Sequence, residues 1–167
     1  MKSFNTTAVC IPSKHYMVDL SERVKAIKQM VDAEKYFTIN RARQYGKTTT
    51  IVALGVALSD QYDVISIDFQ DVTTADFENE NEFTKGLAQL LCDTRDNIEI
   101  PVPDRIYEQL QNLAGNSEKV KLNDLFRLFD RWCRENQKPI VLIIDEVDTA
   151  TNNQVFLDFL KRVEPYH

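Results

Sequence analysis

The chain is poor in cysteine. Cys10, Cys92 and Cys133 are scattered through 167 residues with no Cys-x-x-Cys pair. That spacing argues against a disulfide framework and against a zinc site, and leaves reduced, buried thiols in a cytosolic protein as the reading. No apolar run approaches the roughly 20 residues that cross a bilayer, and Met1 to Pro12 holds Lys2 but no unbroken apolar stretch, so no signal peptide is read there. Low-complexity tracts and internal repeats are also lacking. A cytoplasmic location without membrane partners is the expectation. Excess positive charge is missing as well: the net charge is -6, which speaks against broad nucleic-acid binding by phosphate neutralisation. What remains is ordinary globular composition, 43% hydrophobic and 28% charged, in a chain long enough for one sizeable core.

Hydrophobic periodicity alternates between helix and strand. Ser21 is read as the cap of a helix to about Glu34, with Val24, Ile27, Met30 and Val31 on one face. Strand-like Tyr36 to Asn40, a loop over 41–47 and a helix over 48–59 follow. Val64 to Phe69 reads as a second buried strand, Asp71 to Asn81 as an acidic connection, and 82–93 as a helix. Two prolines make Ile98 to Pro103 extended, and Tyr107 to Leu113 is a helix closed by Gly115. Leu122 to Glu135 carries the broadest apolar face, with Leu122, Leu125, Phe126, Leu128, Phe129 and Trp132. Pro139 then breaks the chain before the strand Ile140 to Asp145, and a last helix spans about 153–163. Strands alternating with helices predict an α/β fold, a parallel sheet covered on both faces.

Two motifs carry chemistry. Arg41-Ala42-Arg43-Gln44-Tyr45-Gly46-Lys47-Thr48 fits the phosphate-loop pattern G-x-x-x-x-G-K-[ST], except that Arg41 stands at the first glycine. Gly46 lets the backbone approach a phosphate. Amides of about 43–48 would face the β-phosphate at the positive end of the following helix. Lys47 would neutralise β/γ oxygens, and the Thr48 hydroxyl would ligate Mg2+. The nucleotide-binding set is therefore Arg43, Gln44, Tyr45, Gly46, Lys47, Thr48 and Thr49; Arg41 is read as a solvated loop charge. The second motif is the apolar strand that ends in Asp145-Glu146. Asp145 would hold Mg2+ through its water shell, and Glu146 would orient and activate the attacking water. No Asn-Lys-x-Asp run for guanine is present, so ATP is preferred to GTP. Asp148, Asn152 and Asn153 read as turn and cap residues rather than γ-phosphate sensors. Tyr16 reads as a partly buried aromatic, His15 as a surface residue, and Trp132 with the phenylalanines as core.

Phe37 to Thr48, Leu142 to Asp148, and Asn152 to Leu157 together resemble the bacterial AAA-ATPase-like family of P-loop proteins, of the AAA/STAND type with an additional strand and a catalytic Glu. His15-Tyr16-Met17-Val18-Asp19 resembles the aromatic-Val-Asp segment ahead of the first helix in that family, whose members often lack the first glycine. The resemblance implies phosphate and Mg2+ roles for Lys47 and Thr48, the metal role for Asp145 and the catalytic role for Glu146. It also implies a three-layer P-loop NTPase domain over 21–167, behind an N-terminal segment 1–20, with sheet order 5-1-4-3-2. In that order the Asp145 strand is the third and lies beside the second, while strand 4 separates it from the P-loop strand. The chain ends at His167, one helix past strand 3, so strands 4 and 5 are expected to be missing. A partial domain is then the preferred expectation, ahead of a reduced sheet in which strands 1 and 3 pair directly. Such a domain would self-associate or take a partner chain to complete its sheet, and would hydrolyse ATP slowly alone for want of a sensor and an arginine finger. The competing expectation is a non-catalytic, nucleotide-responsive or protein-interaction module.

Overall fold

The computed structural model describes residues 19–39, 47–70, 72–97, 100–147, 150 and 152–163. The chain divides into two compact units, Met1–Asp60 and Gln61–Tyr166.

In the first unit, α1 (Ser21–Asp32) packs against α2 (Lys47–Leu58). Ile27 on α1 and Leu54 and Leu58 on α2 are buried, while Val24, Met30 and Val31 are half-buried. The expected cap is not formed: the N-cap is Leu20, which makes no side-chain cap bond. Ser21 is already helical, and its N–H and Oγ both donate to Asp19 Oδ1, at 2.9 and 2.6 Å. The Asp19 carboxylate accepts both donors, and Ser21, already inside the helix, uses its hydroxyl as a donor rather than as a capping acceptor. The hydroxyl first, and the backbone N–H second, hold the Asp19 carboxyl below its ordinary pKa. At the other end, Lys35 N–H reaches Met30 O (3.0 Å) and Glu34 N–H reaches Val31 O (2.8 Å). This is a Schellman closure with Glu34 in the left-handed region, φ 53°.

The expected strand at 36–40 is not found. Residues 35–39 have no regular structure, and Asn40 lies outside the described residues. Aromatic and β-branched residues favour a pleated surface, but a strand exists only where a neighbour completes its ladder.

The second unit is built on two parallel strands, β1 (Asp63–Asp68) and β2 (Ile140–Asp145), paired in register from Asp63↔Ile140 to Asp68↔Asp145. This is the adjacency expected of strands 2 and 3. Side chains alternate between faces. Ile65 and Ile67 of β1 belong to the main core, and Ile140, Leu142 and Ile144 of β2 pack against it. Val64, Val141 and Ile143, on the other face, are half-buried and stand apart from that core. Within this unit the architecture is therefore a sheet with helices on one face, an α/β arrangement of two layers.

Those helices are α3 (Glu80–Asn97), α4 (Asp104–Ala114), α5 (Leu122–Glu135) and α6 (Gln154–Val163). α3 is longer at both ends than the sequence suggests. Part of the expected acidic connection is instead a 3-10 turn, Thr74–Phe77, where Asp76 Oδ2 accepts the N–H and hydroxyl of Thr73, both at 2.7 Å. That turn drives Phe77 into a phenylalanine cluster with Phe69, Phe83, Phe156 and Phe159. Ring centroids there lie 5.6 Å apart for Phe69–Phe156 and 5.7 Å for Phe83–Phe159, edge-on contacts worth about 0.5–1.5 kcal/mol each beyond their buried area. The cluster ties α3 and α6 to the C-terminal end of β1. The start of α3 also organises the approach to α5: Asn81 Oδ1 accepts Val120 N–H at 2.8 Å, and Glu80 Oε1 accepts Leu122 N–H at 3.0 Å. Trp132 is buried in the core, as its helical spacing predicts.

Candidate functional site

The phosphate-loop residues Arg43, Gln44, Tyr45 and Gly46 lie outside the described residues, as does Arg41. The motif becomes visible at Lys47, the first residue of α2, with Thr48 and Thr49 completing its opening turn. Lys47 and Thr49 are half-buried, and Thr48 is exposed. The first turn of α2 holds no acidic residue, and neither does that of α6, whereas α1, α3, α4 and α5 each begin with at least one. A carboxylate there would repel an incoming phosphate at the positive end of the helix. One turn on, Thr50 is buried, and Arg23 Nη1 on α1 approaches its Oγ1 at 3.5 Å.

The carboxylate pair sits in the other unit. Asp145 is the last residue of β2, and Glu146 follows directly. Both are half-buried. Asp145 Oδ1 accepts the N–H of Glu146 at 2.8 Å, and Asp145 O accepts Phe69 N–H at 3.0 Å, which extends the ladder past the end of β1. Glu146 takes a left-handed backbone, φ 55°. A residue with a side chain reaches this region at a cost of about 1–2 kcal/mol, and such residues gather at functional sites. Regular alternation ends at Asp145, the last residue of β2, and Glu146 leaves on a new course.

Register adds a residue that the motif reading passed over. Asp68, which the sequence places near the end of the second strand without a site role, is the last residue of β1 and stands directly opposite Asp145. Its Oδ1 accepts Gln70 N–H at 2.7 Å. The sequence signal was available, since both strands are apolar runs ending in Asp, but only pairing brings the two ends together. Among the described residues, no group of three or more His, Cys, Asp or Glu side chains is arranged to hold a metal ion.

Asn153 is committed to structure. Its Oδ1 caps α6 through Val155 N–H at 2.9 Å, and its Nδ2 donates to Phe77 O at 3.2 Å. The cap reading of this residue therefore holds. Asp148 lies outside the described residues.

Beyond these geometries, the family model for the AAA-like domain matches residues 4–167. The chain belongs to the AAA-like domain family. The match runs through both compact units of this AAA-like domain and takes in both motifs. No curated protein and no solved structure matches the chain. No helix among the described residues of the AAA-like domain is long and apolar enough to cross a membrane.

Proposed function

We propose that this AAA-like domain is an ATP-binding, Mg2+-dependent module of the P-loop class, carrying the residues of an ATPase. The observation that carries the reading is the opening of α2: Lys47 and Thr48 stand in the first turn of a twelve-residue helix that has no acid there. Lys47 supplies the point charge for β/γ oxygens, and the amides of the loop that ends in Gly46 supply the donors. Arg43, Gln44, Tyr45 and Thr49 complete the proposed nucleotide-binding set.

The donor set suits Mg2+. A Thr48 hydroxyl and an Asp145 carboxylate are both hard oxygen ligands, and Mg2+ is commonly held by one or two protein oxygens together with phosphate and water rather than by a protein cage. By this reading the ion would neutralise charge on the β- and γ-phosphates. Glu146 serves as the group that orients and deprotonates the attacking water. The bend after Asp145 supports a division of labour between the two carboxylates.

Calorimetric titration of the purified chain with MgATP, with Lys47→Ala as control, tests the binding half. Saturable binding that disappears in the variant supports the cradle; no binding by the folded, intact chain overturns it. Glu146→Gln tests the catalytic half. It is expected to keep MgATP affinity and to lose turnover, and equal turnover in both proteins would assign Glu146 a structural role.

A further inference from the structure

Away from both motifs, α4 and α5 enclose an open groove of about 230 Å³, lined by Gln109, Leu113, Asp124, Arg127, Leu128 and Arg131. The α5 members recur at the spacing of one helix face. Leu113 and Leu128 provide apolar floor. Asp124 is engaged at the start of α5, where its Oδ2 accepts Lys121 N–H at 3.0 Å. Arg127 and Arg131, one turn apart, are both exposed.

Their partners set these two arginines apart from their neighbours. Arg134 pairs with Asp130 at 3.6 Å, and Arg105 pairs with Glu135 at 3.2 Å. Arg131 instead donates to the neutral Gln109 Oε1 at 2.9 Å. Neither Arg127 nor Arg131 forms an ion pair with a carboxylate among the described residues. Two like charges one turn apart repel slightly, and they do so here in a chain of net charge -6, where acidic groups are plentiful.

We propose that this groove docks an acidic segment of a partner protein, with a Glu or Asp side chain bridging Arg127 and Arg131 and an adjacent apolar side chain resting on Leu113 and Leu128. The fork of a guanidinium matches a carboxylate in two parallel hydrogen bonds. The volume suits one or two side chains and is below the range of nucleotide-sized sites. An apolar floor gains nothing from a bare phosphate or from a sugar-phosphate backbone, whereas an acidic residue beside an apolar one uses both the arginines and the floor.

The test uses the full chain and a short fluorescein-labelled peptide of glutamate and leucine, read by anisotropy, against the same peptide with glutamine for glutamate. Saturable binding is expected, about tenfold or more tighter for the glutamate peptide, weakening as salt rises. Arg127→Glu/Arg131→Glu is expected to abolish it with circular dichroism unchanged. Amide shifts induced in the unaltered protein should centre on Leu113 and Leu128, a readout that does not depend on the variant folding. Equal binding of the two peptides, no binding of either, or shifts elsewhere overturns the proposal. Full displacement of the peptide by inorganic phosphate or by a single-stranded oligonucleotide also overturns it, making the groove a small-anion or nucleic-acid site instead.

Discussion

Asp145 Oδ1 accepts the N–H of Glu146 at 2.8 Å while Glu146 holds φ at 55°, so the strand's last carboxylate braces the turn that redirects the next one. The brace uses the backbone of Glu146, not its side chain. Substitutions at 146 therefore separate conformation from chemistry.

Glu146→Gly removes the side chain that penalises the left-handed backbone, whereas Glu146→Val places a β-branched residue there. Urea unfolding is expected to show the glycine variant more stable than the valine variant by about 1–2 kcal/mol. Equal stabilities would mean that the bend relaxes when the glutamate is replaced.

Glu34 occupies the position of the α1 closure where glycine is usual, with φ 53°. Glu34→Gly is expected to raise the unfolding free energy by about 0.5–1 kcal/mol, because the folded-state penalty lost exceeds the added freedom of the unfolded chain. A drop in the urea midpoint would contradict this closure.

Asn153 joins two elements through one amide. Asn153→Ala is expected to lose about 1–2 kcal/mol, since the α6 cap and the bond to Phe77 O both disappear. Asn153→Asp keeps the capping oxygen and should fall between the two. MgATP affinity should be the same in Asn153→Asp as in the unaltered chain, because the amide is already used structurally; a marked fall in calorimetry would restore the sensor role.

Burial, with Asp93 and then Asp96 adding to it, pushes the Cys92 thiol up to about 11, from 9.0 for an ordinary thiol. The folded state therefore holds the proton more tightly than the unfolded state. Its contribution to stability is whole below pH 9 and is lost as pH rises toward 11. Cys92→Ala is expected to flatten the decline in stability across that window, measured by urea unfolding at stepped pH. Cys133, whose thiol is also raised by burial and by Asp130, is exposed in part and should react with a thiol reagent in the native state before Cys92 does.

Much of the local structure was legible because local chemistry settles it. The helix Leu122–Glu135 and the strand Ile140–Asp145 fall where the sequence places them: an apolar face at helical spacing fixes the first, and Pro139 with an unbroken apolar run fixes the second. α2 opens at Lys47, one residue before the expected helix over 48–59, although Thr48 to Val52 and Gly55 are weak helix formers, so the Gly-Lys-Thr signal rather than propensity marks its start. The Ser21 cap does not form because α1 already includes Ser21, with Leu20 as N-cap, and the Ser21 hydroxyl donates to Asp19.

The sequence by itself determined the helices, the two strands that pair and the two motifs, since propensity, periodicity and motif spacing act over a few residues. Tertiary structure decided what brings distant residues together. Strand pairing set Asp68 opposite Asp145, and residues 35–39 carry no strand despite a strand-like composition, because a ladder needs a partner that propensity cannot supply. The bend at Glu146 belongs to the same class: nothing in Asp-Glu-Val requires a left-handed backbone, and it is adopted where β2 leaves the sheet with Asp145 accepting the Glu146 N–H.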